Sequence, residues 1–258
     1  MSINTYLKEL ASKLIVDAEE KQKIENSINY FNKKAEGSFT LNMKEMRVFG
    51  SYDRKINLSR KIDSTADVDI MIIFNNDGST PQTYLNRVKK FVEIYYQKSD
   101  IKQDTPTILL DMNHISFEIT PAILSLDIPM IKKENSWMFT NCLEDKSNLN
   151  KANQNNNSMI KPIIRLVKYW NVTKNNKNIS SYIIEKAIVN HFQYKDYFCN
   201  DYLDYLIKSF EMIYDTLSQE TYKNKVSSVI QRLKTVKKDK EKYPYSSLME
   251  VKTIFEEL

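Results

Sequence analysis

Glycine is scarce, with three in 258 residues, and cysteine, tryptophan and histidine occur only twice each. Prolines number six. So few breakers of regular structure exclude collagen-like and linker-dominated architectures, and each glycine is expected where the backbone needs it. Two cysteines, Cys142 and Cys199, cannot build a disulfide framework or a thiolate metal site. No apolar run approaches the length of a membrane span. Met1–Leu10 has neither the basic start nor the apolar stretch of a signal peptide. These absences lead to the expectation of a reduced, cytoplasmic protein with no membrane partner.

What is present is ordinary for a globular chain: 41% hydrophobic and 28% charged residues. The length suits one large domain or two smaller ones. The net charge of +5 is compatible with a polyanionic ligand but does not require one.

Periodicity divides the chain. Tyr6, Leu7, Leu10, Leu14 and Ile15 recur at helical spacing, as do Ile24, Ile28 and Phe31, with Gly37 expected to end the second helix. Met46–Phe49 reads as a short strand and Asp67–Phe74 as the strongest strand of the chain. Thr80-Pro81 has the form of an N-cap followed by a first-turn proline, opening a helix to about Gln97. Two strands, 107–112 and 115–120, flank Asn113-His114 as a hairpin. Residues 144–158, polar and rich in asparagine, read as a long loop or domain junction. Beyond them the spacing predicts helices only: 159–170, 180–194, 202–217, 222–236 and 246–257. The class is therefore α+β, with a mixed sheet and helices over 1–140 and an all-helical domain over 141–258.

Three acids carry the chemistry. Asp67 and Asp69 lie two apart on a strand and so project from one face. Side by side they repel unless a cation lies between them, and an all-oxygen site suits Mg²⁺ or Mn²⁺. The plainer alternative is a pair of solvated aspartates at a strand mouth. Glu118 alternates with Phe117 and Ile119 on a second strand, where an acid needs a partner, a metal or open water. Gly50-Ser51 ends the strand before them and offers close backbone approach and a hydroxyl, as a phosphate cradle requires. Lys161, Arg165 and Lys168, spaced four and three apart, form one basic helical stripe, which would ordinarily be a solvated face. The run Lys234–Lys242 reads as a solvated helix end, or as a contact for nucleic acid. His114 is assigned to a turn and His191 to a helix face, with neither as a metal ligand.

Taken together, Phe49-Gly50-Ser51-Tyr52-Asp53-Arg54, then Ser64-Thr65-Ala66-Asp67-Val68-Asp69, then Phe117-Glu118-Ile119-Thr120-Pro121-Ala122 resemble the DNA polymerase β superfamily of nucleotidyltransferases. Within it the chain is similar to the CD-NTases, bacterial relatives of cyclic GMP-AMP synthase. Lys161–Asn171 and Ser181–Glu185 resemble the helical signatures of that group. The resemblance spans about residues 45–190. The segment from Ser51 to Asp67 is longer than usual, the third acid is glutamate, and a chain of this length implies reduced acceptor-side elements.

The resemblance implies a polymerase β-like palm followed by a helical domain, acting as a magnesium-dependent nucleotidyltransferase. Its product would be a cyclic di- or oligonucleotide second messenger made from nucleoside triphosphates in antiphage signalling. Asp67 and Asp69 would bridge two Mg²⁺ (or Mn²⁺) ions, with Glu118 completing the catalytic set. Gly50 and Ser51 would meet the β/γ-phosphates, Lys168 and Ser181 the triphosphate tail, and Tyr182 the base. Lys161 and Arg165 are weaker candidates on the same helix. Related transferases leave two other functions open: transfer to an RNA 3′ end or a protein acceptor, and non-catalytic nucleotide sensing. An activating protein partner is also left open.

Overall fold

The computed structural model describes residues 1–140 and 142–255. Their contacts gather into two units: one of Met1–Ile15, Lys61–Asp63 and Asp145–Leu258, the other of Val16–Arg60 and Ser64–Glu144. The first helix, α1 (Ile3–Lys13), groups with the C-terminal helices rather than with the sheet. It is fastened there by its buried face of Ile3, Tyr6, Leu7 and Leu10, and by the Tyr6 hydroxyl donating to the carbonyl of Phe255.

The sheet unit begins with α2 (Ala18–Phe39), capped by Asp17, whose carboxylate accepts the N–H of Glu20. The helix does not stop at Gly37. Phe39 packs its ring 5.1 Å from Phe74 and 5.2 Å from Phe91, and this anchoring carries the helix past the glycine. Then follow β1 (Met43–Phe49), the single turn α3 (Gly50–Asp53), β2 (Asp67–Phe74) and α4 (Pro81–Tyr95), the last capped by Thr80 as its sequence predicts. Five strands complete the unit: β3 (Asp100–Asp104), β4 (Thr107–Asp111), β5 (Ser116–Ser125), β6 (Ile128–Lys133) and β7 (Ser136–Phe139).

The sheet order is β1-β2-β5-β4-β3, with β6 beside β5 and β7 beside β6; β2 and β5 run parallel and the other pairs antiparallel. Strand β5 runs through Pro121, beyond the expected end at Thr120. Its neighbour β4 pairs only through Ile119 and β6 begins at Ala122, so the proline, which has no N–H, falls where one partner leaves and the next arrives.

Alternation along β2 decides what faces what. Val68, Ile70, Ile72 and Phe74 enter the core with Tyr84, Val88 and Phe91 of α4 and Ile24 and Phe31 of α2. Phe31, fully buried, has the rings of Phe91, Tyr96 and Phe117 at 5.4, 6.0 and 5.5 Å. Truncating such a ring to alanine costs about 3–5 kcal/mol. On the opposite face, Met71 and Ile73 pack with Ala122, and Asp67 and Asp69 precede them at the strand mouth.

The helical unit holds α5 (Cys142–Asn155), α6 (Ile160–Thr173), α7 (Ser181–His191), α8 (Tyr202–Thr216), α9 (Glu220–Asp239) and α10 (Pro244–Ile254). Helix α5 replaces the loop expected over 144–158. Its buried contacts are confined to Leu149 and Ala152, a seam too narrow to show as periodicity. Its asparagines bond outward: Asn153 Oδ1 accepts the Lys161 N–H at 3.0 Å, and Asn155 Nδ2 donates to the Gln193 carbonyl at 2.6 Å. Glu257, the expected end of the last helix, lies outside the described residues. None of the described helices is long and apolar enough to cross a membrane.

Candidate active site

Strand register builds the site. In the parallel pairing of β2 with β5, Asp69 lies opposite Glu118 and Asp67 opposite Ser116. A carboxylate oxygen from each of Asp67, Asp69 and Glu118 falls within 4.8 Å of the others. All three acids are half-buried. The Thr107 hydroxyl of β4 lies 3.3 Å from Glu118 Oε1.

The crowding has an electrostatic consequence. Burial, followed by the charges of Asp67 and Glu118, pushes the Asp69 carboxyl up to about 8, and Arg54 pulls the other way. Three acids on one face at this separation form a hard, all-oxygen donor set, which fits divalent Mg²⁺ or Mn²⁺ and no softer metal.

Gly50 explains itself here. Its φ is +68°, and a Cβ built on it would lie 1.7 Å from Asp69 Oδ2. Glycine is required twice, for the left-handed backbone and for the room taken by the carboxylate. Ser51 follows it in α3, half-buried.

Residues 52–66 read in sequence only as a polar stretch, yet they contain a residue that braces the site. Arg60 donates from one guanidinium nitrogen to the Ala66 carbonyl at 3.2 Å and to Ser116 Oγ at 2.7 Å. Ala66 precedes Asp67 in the chain and Ser116 faces it across the sheet. The Arg60 segment is itself held by Glu20 of α2, which accepts the Arg60 N–H at 2.8 Å and the Ser59 hydroxyl. The only signal in the sequence was an arginine in an unusually long connection before Asp67.

The remaining candidates belong to the helical unit. Ile164, Leu166 and Val167 are buried, but so are Arg165 and Lys168, at 7% and 6% exposure. The solvated-face reading therefore fails for these two, because α6 is enclosed on nearly every side. Burial pushes the Arg165 guanidinium down to about 10. Lys161 is less enclosed and donates to Asn150 Oδ1 at 2.9 Å. Ser181 opens α7, where Ser180 supplies the cap. Tyr182 is 56% exposed, with Lys186 Nζ 5.5 Å from its ring centre. His114 sits in its turn against Ser27 Oγ, and burial raises the Cys199 thiol to about 12, leaving it inert.

Comparison with known proteins places this geometry. Residues 1–153 match the Second Messenger Oligonucleotide or Dinucleotide Synthetase (SMODS) domain. A probable cyclic nucleotide synthase of Bacillus cereus is 26% identical over 195 residues; the match covers 60% of this chain and 57% of that protein. The chain thus spans just over half the length of this curated relative. Among solved structures, Bradyrhizobium diazoefficiens CdnG, a CD-NTase in complex with GTP, superposes with a TM-score of 0.72 at 12% identity, covering 98% of both chains. Escherichia coli CdnC, solved in a complex with HORMA, gives 0.71 at 13% identity over 99% of this chain and 97% of that one. These two likenesses establish the polymerase β-like fold that the motifs imply. With the family domain covering more than half of its length and the three carboxylates gathered at one strand mouth, the chain belongs to the SMODS family.

Proposed function

We propose that this protein is a divalent-cation-dependent nucleotidyltransferase that joins nucleoside triphosphates into a cyclic di- or oligonucleotide second messenger. The observation that carries the reading is the Asp67–Asp69–Glu118 cluster, held in register by β2 and β5. In each transfer a ribose hydroxyl oxygen bonds to the α-phosphorus of a second nucleotide. The bond to the β-phosphate oxygen breaks, pyrophosphate leaves and the hydroxyl proton passes to solvent.

Asp67, Asp69 and Glu118 would hold Mg²⁺ or Mn²⁺, two ions in all. The metal, when bound, supplies charge neutralisation at the triphosphate and a lowered pKa for the attacking hydroxyl. The chain does the rest. Gly50 lets the backbone pass against Asp69, and Ser51 is assigned to the β/γ-phosphates. Lys168 and Ser181 are assigned to the triphosphate tail and Tyr182 to base stacking, with Lys161 and Arg165 supporting the same charge. We assign it to antiphage signalling, a role the family implies, and to the cytoplasm, where nucleoside triphosphates are made. An activating protein partner is consistent with the HORMA complex of the E. coli relative.

The test is product chromatography after incubation with each combination of nucleoside triphosphates and Mg²⁺. A small product resistant to alkaline phosphatase, formed without any acceptor, is expected. Dependence on added RNA or protein would replace this reading with terminal transfer, and binding without pyrophosphate release would replace it with a sensor. Glu118→Gln should lose turnover while retaining nucleotide affinity; equal loss of both would make Glu118 a structural residue.

A further inference from the structure

Three large aromatic side chains stand in solvent on the connection between α7 and α8. Tyr194, Tyr197 and Phe198 are exposed at 74%, 79% and 89%. On a loose loop this would mean little. This loop is held from beneath. Asn156, fully buried, donates from Nδ2 to the carbonyls of Phe192 and Tyr194 at 2.9 and 3.1 Å. Its Oδ1 accepts the N–H of Asp196 at 3.1 Å. Asn155 secures the carbonyl of Gln193 between them. Asp196 turns back into the loop, accepting the Phe198 N–H at 2.8 Å and lying 3.0 Å from His191 Nε2. Phe192 closes the base, buried with its ring 5.2 Å from Tyr205.

A satisfied buried polar network rigidifies what it touches. Here it fixes the backbone of 192–198 while three rings face outward. Each such ring carries on the order of 150–250 Å² of surface, and all three are left largely in solvent.

Charge identifies the occupant. Lys151 Nζ lies 5.9 Å from the Tyr194 ring centre and Lys195 Nζ 5.4 Å from that of Tyr197. Of the two acids within the connection, Asp196 has its side chain only 11% exposed and is committed to His191, and Asp201 caps α8 and pairs with Lys240. The outward face therefore presents rings and ammonium groups. By contrast, three lysines of the basic run at the end of α9 are occupied: Lys234, Lys237 and Lys240 each pair with an acid, Glu211, Asp204 and Asp201. Among the described residues neither Lys151 nor Lys195 has such a partner. Lysine is depleted at protein–protein interfaces, where aromatics are enriched. Rings flanked by cations are how single-stranded nucleic acid is held, with bases stacked and phosphates neutralised.

We propose that this loop is a docking platform for single-stranded nucleic acid, with Tyr194, Tyr197 and Phe198 stacking bases and Lys151 and Lys195 meeting phosphates. Rings and phosphates ignore the sugar, so RNA and DNA strands bind alike.

Fluorescence anisotropy of short labelled RNA and DNA strands with the full chain, at low and at physiological salt, decides it. Single strands of both sugars should bind with a dissociation constant on the order of 1–100 µM. The triple variant Tyr194→Ala/Tyr197→Ala/Phe198→Ala should weaken binding by about tenfold or more. Lys151→Ala/Lys195→Ala should weaken it less and flatten its salt dependence, and Phe198→Tyr should preserve it. Unchanged thermal midpoints establish that the variants fold; should the triple variant unfold, Tyr197→Ala alone carries the test with a loss of about fivefold. No binding by the parent protein, equal binding by the ring variants, or preference for duplex would each overturn the proposal.

Discussion

Two groups of acidic residues, one in each unit, are held in opposite ways. Along α8 and α9 of the helical unit acids are paired with lysines: Asp201 with Lys240 at 3.1 Å, Asp204 with Lys237 at 2.6 Å, Glu211 with Lys234 at 2.7 Å. In the sheet unit an oxygen from each of Asp67, Asp69 and Glu118 lies within 4.8 Å of the others, and burial, followed by the neighbouring charges, makes Asp69 resist ionisation. Distributed pairs hold helices together at little cost. A crowd of like charges opposes folding, and the fold tolerates it because β2 and β5 are buried elsewhere along their length. The contrast teaches where to look for chemistry: at the acids that work against one another.

The contrast breaks most sharply at the carboxylates. Asp67→Asn with Asp69→Asn should reduce pyrophosphate release at least about hundredfold, on the scale of losing metal-held charge stabilisation. The metal-free melting temperature should hold or rise, because repulsion is relieved. Retention of more than a few per cent of turnover would remove these residues from the chemistry. Gly50→Ala comes next. Its methyl meets Asp69 at a φ of +68°, so activity should fall tenfold or more and stability by about 1–3 kcal/mol. A fully active, stable Gly50→Ala protein would show that the carboxylate can move without consequence.

Arg60→Ala sharpens the same point at smaller scale. The side chain touches Ala66 and Ser116 rather than the acids themselves, so it acts by positioning Asp67. Turnover should fall several-fold, on the scale of one or two lost hydrogen bonds to a charged group, and the Mg²⁺ concentration for half-maximal rate should rise. Lower stability with an unchanged Mg²⁺ requirement would reduce Arg60 to a structural brace.

Much of this arrangement was legible in advance, for reasons visible in particular residues. The alternation of Asp67–Phe74 exposes two faces of different chemistry, and the Thr80-Pro81 cap and the Asn113-His114 turn are local signals that no packing overrules. Strands β3, β6 and β7 were hidden because Asp100–Asp104 is a polar edge, Ile128–Lys133 carries a proline and ends in two lysines, and Ser136–Phe139 is only four residues long. Helix α5 was hidden behind its asparagines. The burial of Arg165 and Lys168 could not be read from a stripe of charges, since charge spacing reports which residues share a face but not what covers it. The bracing role of Arg60 could not be read from its place in the long connection before Asp67, because its partners lie six and 56 positions away.

Acidity offers a subtler test of the crowded site. An aspartate in an unfolded chain titrates near pH 3.9, whereas Asp69 is held at about 8 in the folded, metal-free protein. Folding therefore takes up a proton between these values. Its contribution to stability is complete below the unfolded value and is lost as pH rises through 8. Between pH 6 and 9 the metal-free melting temperature should decline, and Asp69→Asn should flatten that decline. Mg²⁺ should restore stability most at the alkaline end, because it favours the ionised carboxylate. An Asp69→Asn protein with the parental slope would assign the titration elsewhere.

The smallest effect belongs to the distributed acids. Lys237 is about half-exposed and its ammonium lies 2.6 Å from Asp204, whose side chain is only 9% exposed. Hydrogen bonding to Asp204 raises the Lys237 pKa, so the pair is intact at neutral pH and weakens only as pH climbs past the ordinary lysine range. Exposure on the lysine side lets water and salt screen the attraction, which limits such pairs to about 0–1 kcal/mol. Asp204 keeps other bonds without it: its Oδ2 accepts the Asn200 N–H at 3.1 Å. Lys237→Met, which preserves the aliphatic stem, should therefore lower the melting temperature by no more than about 2–4 °C, with the difference shrinking in high salt. Pyrophosphate release should be unchanged. A loss of turnover comparable to that of Arg60→Ala would mean that the paired acids of the helical unit also serve the reaction, and the distinction between crowded and distributed charge would fail.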